Sequence, residues 1–420
     1  MIQRPRGTRD LLPPESRLWH AVEDVARQVF GGFGADEIRT PMFEATELFV
    51  RTVGEGTDIV NKEMYTFPDR KGRSLTLRPE GTAGVARAWI ENQMHDRSHP
   101  LRLYYVGPMF RYERMQRGRY RQFSQIGLEI LGASSPLADA ELLVTLHEFL
   151  SRLGFTDLVI HLNNLGDPED RPRYQALVRE RLEPHRAELC EDCRRRLDTN
   201  ALRVLDCKVP RCQELASELP AIADVASEVS RAHVARVEAQ LAALGVAFVR
   251  NPRLVRGLDY YLRTVFEVVS PQLGTGTVLC GGGRYDRLIS DLGGPAIPGV
   301  GFAIGEDRLV EVLPAGFAAG VLARPRLLLV GLGDSAQDAL LPLAVAWQRQ
   351  GVPVELELGS RSLKAALRRA DKDGMRAVAI LGDDELAALE VTVRDLGHGA
   401  QQRIPVATLP AWWHALTADS

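Results

Sequence analysis

The chain has 420 residues, of which 45% are hydrophobic and 25% are charged, and its formal net charge at pH 7 is −3. This length allows two or three domains with substantial cores, and the composition is that of a globular protein rather than a disordered or fibrous one. The small net charge excludes binding to nucleic acid through bulk charge, so any such contact must come from local basic patches.

The N-terminus and the cysteine content together predict a cytoplasmic protein. The first residues, MIQRPRGTRDLLPPES, contain no apolar stretch of the kind that a signal peptide has. No run in the chain approaches the roughly 18 apolar residues of a transmembrane helix. Five cysteines, an odd number in a large chain, favour reduced thiols. We therefore expect neither secretion nor a membrane span.

The N-terminal part of the chain predicts a helix followed by an antiparallel sheet. Residues 16–31 carry apolar side chains at helical spacing. Between about 38 and 131, strand-like runs are separated by Gly and Pro, a pattern typical of an antiparallel sheet. Two helical patterns, at 82–94 and 137–153, and a strand at 159–166 complete this region.

The composition changes at about residue 167. Residues 167–247 are rich in Arg, Glu, Ala and Leu and poor in β-branched runs, which predicts a helical insertion. Strand character returns at 253–269 and 276–281, and a last strand and helix follow. We therefore assign residues 1–320 to a first domain that contains the insertion.

A second boundary is predicted near 314–325, and residues 326–420 form the second domain. There β and α patterns alternate, which favours a small α/β domain with a mostly parallel sheet. One helix of this domain, 361–373, has a basic stripe opposite an apolar face. The stripe consists of Arg361, Lys364, Arg368 and Lys372. Such a stripe is either a solvated face or a contact for nucleic acid.

Residues 102–131 contain the highest concentration of candidate functional side chains, because two strand-like runs flank a loop rich in arginine. The loop contains Arg111, Arg114, Arg117, Arg119 and Arg121. In the second run Gln125, Gly127 and Glu129 share one face, while apolar side chains share the other. Guanidinium groups beside a carboxylate suit a ligand with phosphate and cationic parts. The alternative is a solvated charged hairpin.

Four further segments have features of a ligand site. LRPEGT (77–82) presents Glu80 and Thr82 at a turn into a helix, where a plain capping turn is the alternative. RGLDYYLRTVFE (256–267) places Arg256 before a strand that carries Tyr261. The other two are CGGGRYDRL, with three glycines before Tyr285, and GVGFAIGEDRL, with Arg308 at a helix start. Consecutive glycines allow close approach of a ligand or merely form a bulge.

The insertion contains two cysteine pairs, Cys190-x2-Cys193 and Cys207-x4-Cys212. Four thiols in two pairs are the number that a structural zinc ion requires, and C-x2-C is a good half-site. Thirteen residues, including a predicted helix, separate the pairs. Reduced structural or surface thiols are the alternative. Cys280 lies elsewhere and is interpreted as a small apolar side chain.

Together these segments resemble the histidyl-tRNA synthetase family of class II aminoacyl-tRNA synthetases. The resemblance covers essentially the whole chain. It depends on TLRPEGT, GPMFRYERMQRGRYRQFSQIGLEILG, LVRGLDYYLRTVFE and GGGRYDRL, of which the last two are peculiar to the histidine family within class II. It implies an α+β fold: an antiparallel catalytic sheet flanked by helices, with the helical insertion and a C-terminal α/β anticodon-binding domain.

The resemblance also implies a reaction and partners. A histidine–tRNA ligase activates L-histidine with ATP to histidyl-adenylate and pyrophosphate, and then transfers histidine to the 3′ end of tRNA(His). ATP would be a substrate with Mg²⁺ on its outer phosphates, and the protein would be a homodimer. ATP contact and catalysis are implied for Arg111 on the α-phosphate side, Arg256 across from it, and Arg308 at the far end of ATP.

The remaining site residues implied by the resemblance bind histidine and tRNA. Glu129 and Tyr261 would meet the imidazole, because a carboxylate accepts from one ring N–H and a phenol serves the other nitrogen. Glu80, Thr82, Gln125 and Tyr285 match the positions near the amino and carboxylate groups. Arg114 and Gln116 match loop positions that meet the tRNA acceptor end.

The chain departs from the family pattern at Asp307, where class II enzymes usually have Glu directly before the motif 3 arginine. The shorter side chain puts its contact with ATP or metal in question.

Two other functions are alternatives to the ligase. A histidine-binding regulatory subunit of ATP phosphoribosyltransferase usually lacks the C-terminal domain and the full histidine motifs, both of which this chain has. An unrelated nucleic-acid-binding module would not explain the substrate-lining pattern.

Overall fold

The computed structural model describes residues 2–54, 57, 59–94, 100–114, 118–205, 207–255, 260–273, 278–323, 325–359 and 362–418. The chain forms two compact units, Met1–Val321 and Leu322–Ser420, each with its own core. No helix within the described ranges is long and apolar enough to cross a membrane.

The first unit is built on an eight-stranded sheet. In spatial order its strands are β1 (Asp36–Glu37), β5 (Leu101–Phe110), β6 (Gln122–Leu131), β11 (Gly299–Gly305), β10 (Val278–Arg284), β9 (Leu262–Val269), β7 (Val159–Asn164) and β8 (Phe248–Arg250). The pairs from β5 to β7 are antiparallel, whereas β1 and β8 lie parallel to their neighbours at the two edges. A small second sheet contains β2 (Phe43–Ala45), β4 (Ser74–Leu77) and β3 (Thr66–Pro68).

The alternation predicted for β6 is confirmed. Ile126, Leu128 and Ile130 are buried in the main core of the first unit, so the intervening residues face the other side of the sheet. On that side Glu129 lies opposite Gly301 of β11, and Gly301 lies opposite Gly283 of β10. The next two strands, β11 and β10, therefore each have a glycine in line with Glu129, so neither strand places a side chain there beside its carboxyl group.

Helices flank this sheet, as the family resemblance implies. They are α1 (Glu15–Gly32), α2 (Thr46–Val53), α3 (Thr82–Glu91), α4 (Pro136–Arg152), α10 (Leu288–Asp291), α11 (Glu306–Glu311) and α12 (Ala315–Leu322). α1 and α4 cover the core face, where Phe30 packs against Phe149 and Phe302. α4 begins where the sequence favours a start: the Ser135 hydroxyl accepts a hydrogen bond from Leu137 N at 3.2 Å, and Pro136 follows.

The region 167–247, predicted as a helical insertion, is mainly helical in the structure. It consists of α5 (Asp170–Leu182), α6 (Glu191–Thr199), α7 (Pro210–Ser217), α8 (Ile222–Val225) and α9 (Glu228–Ala243). Its apolar side chains, among them Tyr174, Val178 and Leu197, join a core cluster that continues to Tyr285 in the sheet region. The insertion also contains the short helical segments Glu183–Glu188 and Ala201–Val204. Similar short segments outside it are Ile59–Glu63, Pro271–Leu273 and Val406–Thr408.

The second unit is a five-stranded sheet with helices on both faces. In spatial order the strands are β13 (Val354–Leu356), β12 (Leu327–Gly331), β14 (Ala377–Leu381), β15 (Glu390–Asp395) and β16 (Gln401–Pro405). The helices are α13 (Asp334–Gln348), α14 (Leu363–Lys372), α15 (Asp383–Ala388) and α16 (Leu409–Ala418). The first three strands pair in parallel, whereas β15 pairs antiparallel with both β14 and β16. Four of the five strands therefore run in one direction, and the prediction of a mostly parallel sheet fails only for β15.

Candidate active site

The buried carboxyl group of Glu129 lies at the centre of the candidate site. Glu129 is only 1% exposed. Its Oε1 accepts a hydrogen bond from the Thr82 hydroxyl at 2.6 Å, and its Oε2 accepts one from the Tyr285 hydroxyl. Burial raises the pKa of Glu129 to about 8, although these two hydrogen bonds act in the opposite direction.

Glu80 closes the amino end of α3. Its two carboxylate oxygens accept hydrogen bonds from the backbone N–H groups of Thr82 at 2.7 Å and Ala83 at 2.8 Å. The N-cap residue of α3 is Gly81, which has no side chain, so the Glu80 carboxylate satisfies these donors in its place. The Thr82 hydroxyl bonds to Glu129 and does not cap the helix. Burial raises the pKa of Glu80, against the lowering effect of the two N–H donors and of Arg111.

Two glycines on neighbouring strands leave room for the large side chains of the pocket. A Cβ at position 301 would collide with the carboxyl group of Glu129. A Cβ at position 283 would lie 2.8 Å from a ring carbon of Tyr261, which packs at a tilt against Tyr260 with ring centroids 4.7 Å apart. Gly283 belongs to the CGGG run, and this glycine allows the close approach of Tyr261. The pairing of β10 with β9 also shifts register between Gly283 and Arg284, so the run combines close approach with a strand irregularity.

Tyr105 is a pocket residue that the sequence reasoning missed. It lies on β5 opposite Gly127, and a Cβ at either Gly81 or Gly127 would collide with its ring. The ring is buried beside Thr82 and Glu129, but its hydroxyl makes no hydrogen bond of ordinary geometry within the described part of the chain. A buried hydroxyl without a partner is unfavourable unless a ligand supplies one. Pairing the two strands of the hairpin could have identified Tyr105, because this pairing places it on the same face of the sheet as Glu129.

A groove of about 360 Å³ contains charged side chains of both signs. Arg111, Arg119 and Arg308 line it with guanidinium groups, and Glu63 and Glu113 line it with carboxylates. Such a lining suits a polyanion together with a cation.

Gln125 connects the groove to the pocket. It lines the groove and lies on the face of β6 that carries Glu129. Its Oε1 is buried and has no hydrogen-bond partner among the described residues. An unpaired amide oxygen at this position is available to a ligand that spans pocket and groove.

Arg111 is held in a defined orientation. Its Nε donates a hydrogen bond to the carbonyl oxygen of Pro79 at 2.8 Å, and its guanidinium carbon lies 5.4 Å from the centroid of the Phe123 ring. Its Nη1 is 3.7 Å from a carboxylate oxygen of Glu113. A donor fixed before the reaction begins stabilises developing charge without reorganisation.

Asp307 links the N-terminal segment to the sheet through hydrogen bonds. Its Oδ1 accepts a hydrogen bond from Arg9 Nε at 3.1 Å, and its Oδ2 accepts one from the backbone N–H of Ser124 at 2.8 Å. Arg9 in turn lies over the rings of Trp19 and Tyr120. The carboxylate that the sequence analysis questioned as a contact for ATP or metal is therefore engaged with protein donors.

Two predicted residues, Arg256 and Gln116, lie outside the described residues, as does Arg361 of the basic stripe. Arg114 is exposed, and it is the last described residue of the loop before residue 118. The pocket gathers Glu80, Thr82, Gln125, Glu129, Tyr261 and Tyr285, and the groove gathers Arg111 and Arg308.

Two protein-family models match the chain. Residues 7–309 match the family described as histidyl-tRNA synthetase, and residues 327–415 match the family described as anticodon binding domain. The first match includes all the residues of the pocket and the groove.

Curated relatives and solved structures also match the chain over most of its length. The histidine–tRNA ligases of Desulfitobacterium hafniense and Nitratidesulfovibrio vulgaris are 47% and 51% identical to the chain, over 96% of each sequence. The apo histidyl-tRNA synthetase structure from S. aureus is 36% identical, with a TM-score of 0.82 over 98% of this chain and 99% of its own. A Bacillus halodurans protein described as an ATP phosphoribosyltransferase regulatory subunit/histidyl-tRNA synthetase shares the fold, with a TM-score of 0.67 at 23% identity over 91% of this chain and 98% of its own.

Proposed function

The chain belongs to the histidyl-tRNA synthetase family, and we propose that it joins L-histidine to the 3′ end of tRNA(His) with the use of ATP. The observation that carries this proposal is the buried Glu129 pocket next to an arginine-lined groove. The pocket offers a carboxyl group and phenols to an imidazole, and the groove offers fixed guanidinium groups to phosphates.

Histidine would lie with its side chain in the pocket. Glu129 would accept a hydrogen bond from one imidazole N–H, and the Tyr261 hydroxyl would serve the other nitrogen. Glu80, Thr82, Gln125 and Tyr285 would contact the amino and carboxylate groups. An amino acid without a matching donor would not form the hydrogen bond to Glu129, whose buried carboxyl group would then keep only Thr82 and Tyr285 as partners. The loss of this contact is how a site of this kind rejects such an amino acid.

ATP would lie along the groove. In the first step the histidine carboxylate attacks the α-phosphorus, pyrophosphate leaves, and histidyl-adenylate forms. Arg111 would hold the negative charge that builds on the α-phosphate oxygens, with Arg256 across from it and Arg308 at the far end of ATP. Mg²⁺ would neutralise charge on the outer phosphates, and Glu63 and Glu113 are the kind of oxygen ligand that this ion takes.

In the second step a ribose hydroxyl of the tRNA 3′ end attacks the activated carbonyl, and AMP leaves. Arg114 and Gln116 would meet the acceptor end. In the second unit Lys364, Arg368 and Lys372 lie exposed on α14, opposite buried Ala366 and Ala370, and this basic face is available to tRNA.

An exposed apolar surface supports a homodimer. Met42, Phe43 and Phe67 are 52%, 53% and 39% exposed, and the two phenylalanine rings meet edge to face on the small sheet. Exposed clusters of large apolar side chains mark association surfaces. We propose that a second copy covers this surface and that the protein works in the cytoplasm.

The alternative function, a histidine-sensing regulatory subunit of ATP phosphoribosyltransferase, is less supported. The curated ligases align with the chain at 47% and 51% identity over almost its full length, including the anticodon-binding region. The structure whose description includes a regulatory subunit is only 23% identical. A histidine sensor would also have no use for a basic helix face in the C-terminal unit.

A pyrophosphate exchange assay tests the proposal. Histidine-dependent exchange between ATP and pyrophosphate should be present in the full chain, followed by charging of tRNA(His). Arg111→Ala should lower the exchange rate by roughly 10²–10³ fold, as loss of a fixed transition-state donor does. Arg70→Ala, in an exposed turn, is the matched control and should leave the rate unchanged. Absence of histidine-dependent exchange in the unmodified chain would overturn the proposal.

A further inference from the structure

Four cysteine sulfurs converge in the helical insertion. The Sγ atoms of Cys190, Cys193, Cys207 and Cys212 all lie within 4.8 Å of one another. None of the four is in a disulfide, and all except Cys190 are buried. They are not among the residues that line the pocket or the groove of the proposed reaction.

The spacing of the sulfurs fits one tetrahedral ion. A Zn–S bond of about 2.3 Å in a regular tetrahedron places neighbouring sulfurs about 3.8 Å apart. The Sγ atoms of Cys190 and Cys207 are 3.8 Å apart, and no two of the four sulfurs are more than 4.8 Å apart. A disulfide would require roughly 2 Å. Sulfurs that bind the separate irons of a cubane cluster would stand farther apart, because each ligates a different metal.

Backbone N–H groups point at three of the sulfurs. Cys190 N donates to the Sγ of Cys212 at 3.3 Å, and Cys193 N donates to the Sγ of Cys190 at 3.4 Å. Val209 N donates to the Sγ of Cys207 at 3.5 Å. Apolar packing of neutral thiols does not require such donors, whereas they stabilise the negative charge of metal-bound thiolates and orient the ligands.

The local fold supplies the two halves of the cluster. Cys190 is the N-cap of α6 and Cys193 lies in its first turn, while Cys207 and Cys212 lie on either side of the start of α7. Of the thirteen residues between the pairs, those that the structure describes include the rest of α6 and the turn Ala201–Val204, so the predicted helix is present. A bond from each pair to one ion would tie α6 to α7.

We propose that these four cysteines bind one zinc ion in a closed, structural tetrathiolate site that fixes the fold of the insertion. All four coordination positions are filled by protein, so no position remains for water or substrate and the ion takes no part in the ligase chemistry. Part of the stability of the insertion would then come from the metal.

Metal analysis of the full chain, purified under reducing conditions, tests this proposal. We expect about one zinc per chain. Cys193→Ser and Cys212→Ser should lose it, whereas Cys280→Ala should retain it, because that cysteine lies on β10 outside the cluster. Chelation of the unmodified chain should increase hydrogen exchange in α6 and α7, while the strands of the main sheet stay protected.

Cobalt substitution keeps the test decisive if the serine variants fail to fold. The unmodified chain, stripped of metal and refilled with Co²⁺, should show the intense visible absorption of a tetrahedral thiolate site. Iron in place of zinc in the purified chain would overturn the assignment. Metal-free protein with four reactive cluster thiols and no tetrahedral Co²⁺ spectrum would also overturn it, and would establish the cluster as reduced packing thiols.

Discussion

At the scale of single residues, the ionisation of Glu129 couples histidine binding to pH. Burial raises the pKa of its carboxyl group to about 8, so before histidine binds the protonated form is favoured at neutral pH. Accepting a hydrogen bond from an imidazole N–H favours the ionised form. Binding should therefore release a proton from Glu129, and the affinity should rise as the pH approaches about 8 and level off above it.

The isosteric variant Glu129→Gln isolates this effect, since free histidine also titrates. Calorimetry of histidine binding between about pH 7 and 9 should show affinity rising for the unmodified chain relative to the variant, because only the former has a carboxyl group to ionise. The variant should also bind more weakly at every pH. Parallel pH profiles for the two proteins would mean that Glu129 binds histidine without changing its own ionisation.

Tyr105 presents a different residue-scale test, because its buried hydroxyl has no partner of ordinary geometry among the described residues. Tyr105→Phe removes an unsatisfied polar group and should leave stability unchanged or slightly higher. If histidine supplies the missing partner, its affinity should fall by about 0.5–1.5 kcal/mol, the net value of a typical hydrogen bond.

Tyr104→Phe is the matched control for this change. Tyr104 is the preceding residue on β5, and its ring packs against Phe30 on the opposite face of the sheet. Histidine binding measured by calorimetry should be the same in this variant as in the unmodified chain. Unchanged binding in Tyr105→Phe as well would show that Tyr105 only fills space between Gly81 and Gly127.

At the scale of secondary-structure elements, a buried ion pair joins the end of β10 to the start of α4. Arg284 and Asp139 are both 0% exposed at the side chain. Arg284 Nε lies 3.2 and 3.1 Å from the two carboxylate oxygens of Asp139, and its Nη1 donates to the carbonyl oxygen of Ala133 at 3.0 Å. Because Tyr285 follows directly, this pair also positions the phenol that bonds to Glu129.

Arg284→Met should be strongly destabilising, because it leaves Asp139 buried without its main partner. The expected loss in the free energy of unfolding is about 3–5 kcal/mol by urea denaturation. The double variant Arg284→Met/Asp139→Leu should recover much of this loss. Arg73→Met breaks an exposed pair with Asp69 and, as the control, should cost less than about 1 kcal/mol. A loss that small for Arg284→Met would mean that His233, whose Nε2 is 3.3 Å from Asp139, compensates.

The elements show what the sequence could and could not predict. Periodicity identified the core face of β6 and the basic face of α14, because both depend only on residues close in the chain. The hydrogen bonds of Glu129 join residues 47 and 156 positions away, and local pattern does not specify which strands become neighbours. The role of Tyr105 and the pairing of Asp307 with Arg9 were missed for the same reason.

At the scale of the whole molecule, the pocket and the groove lie entirely in the first unit, and the basic face of α14 lies in the second. A chain shortened to end at Val321 should therefore retain histidine-dependent pyrophosphate exchange. It should charge tRNA poorly, because the C-terminal contacts with tRNA are lost. Loss of exchange in the shortened chain would instead mean that the second unit stabilises the first or holds a dimer together.

A charge-reversal variant of the full chain separates these explanations. Replacing Lys364, Arg368 and Lys372 together by Glu leaves both units in place but inverts the basic face. Pyrophosphate exchange should be unchanged, while charging should weaken and its dependence on salt should become shallower, because fewer phosphates are neutralised. Arg349→Glu, an exposed charge just beyond α13, is the control and should change neither reaction. If the triple variant charges tRNA normally at every salt concentration, α14 is a solvated face and the second unit binds tRNA through another surface.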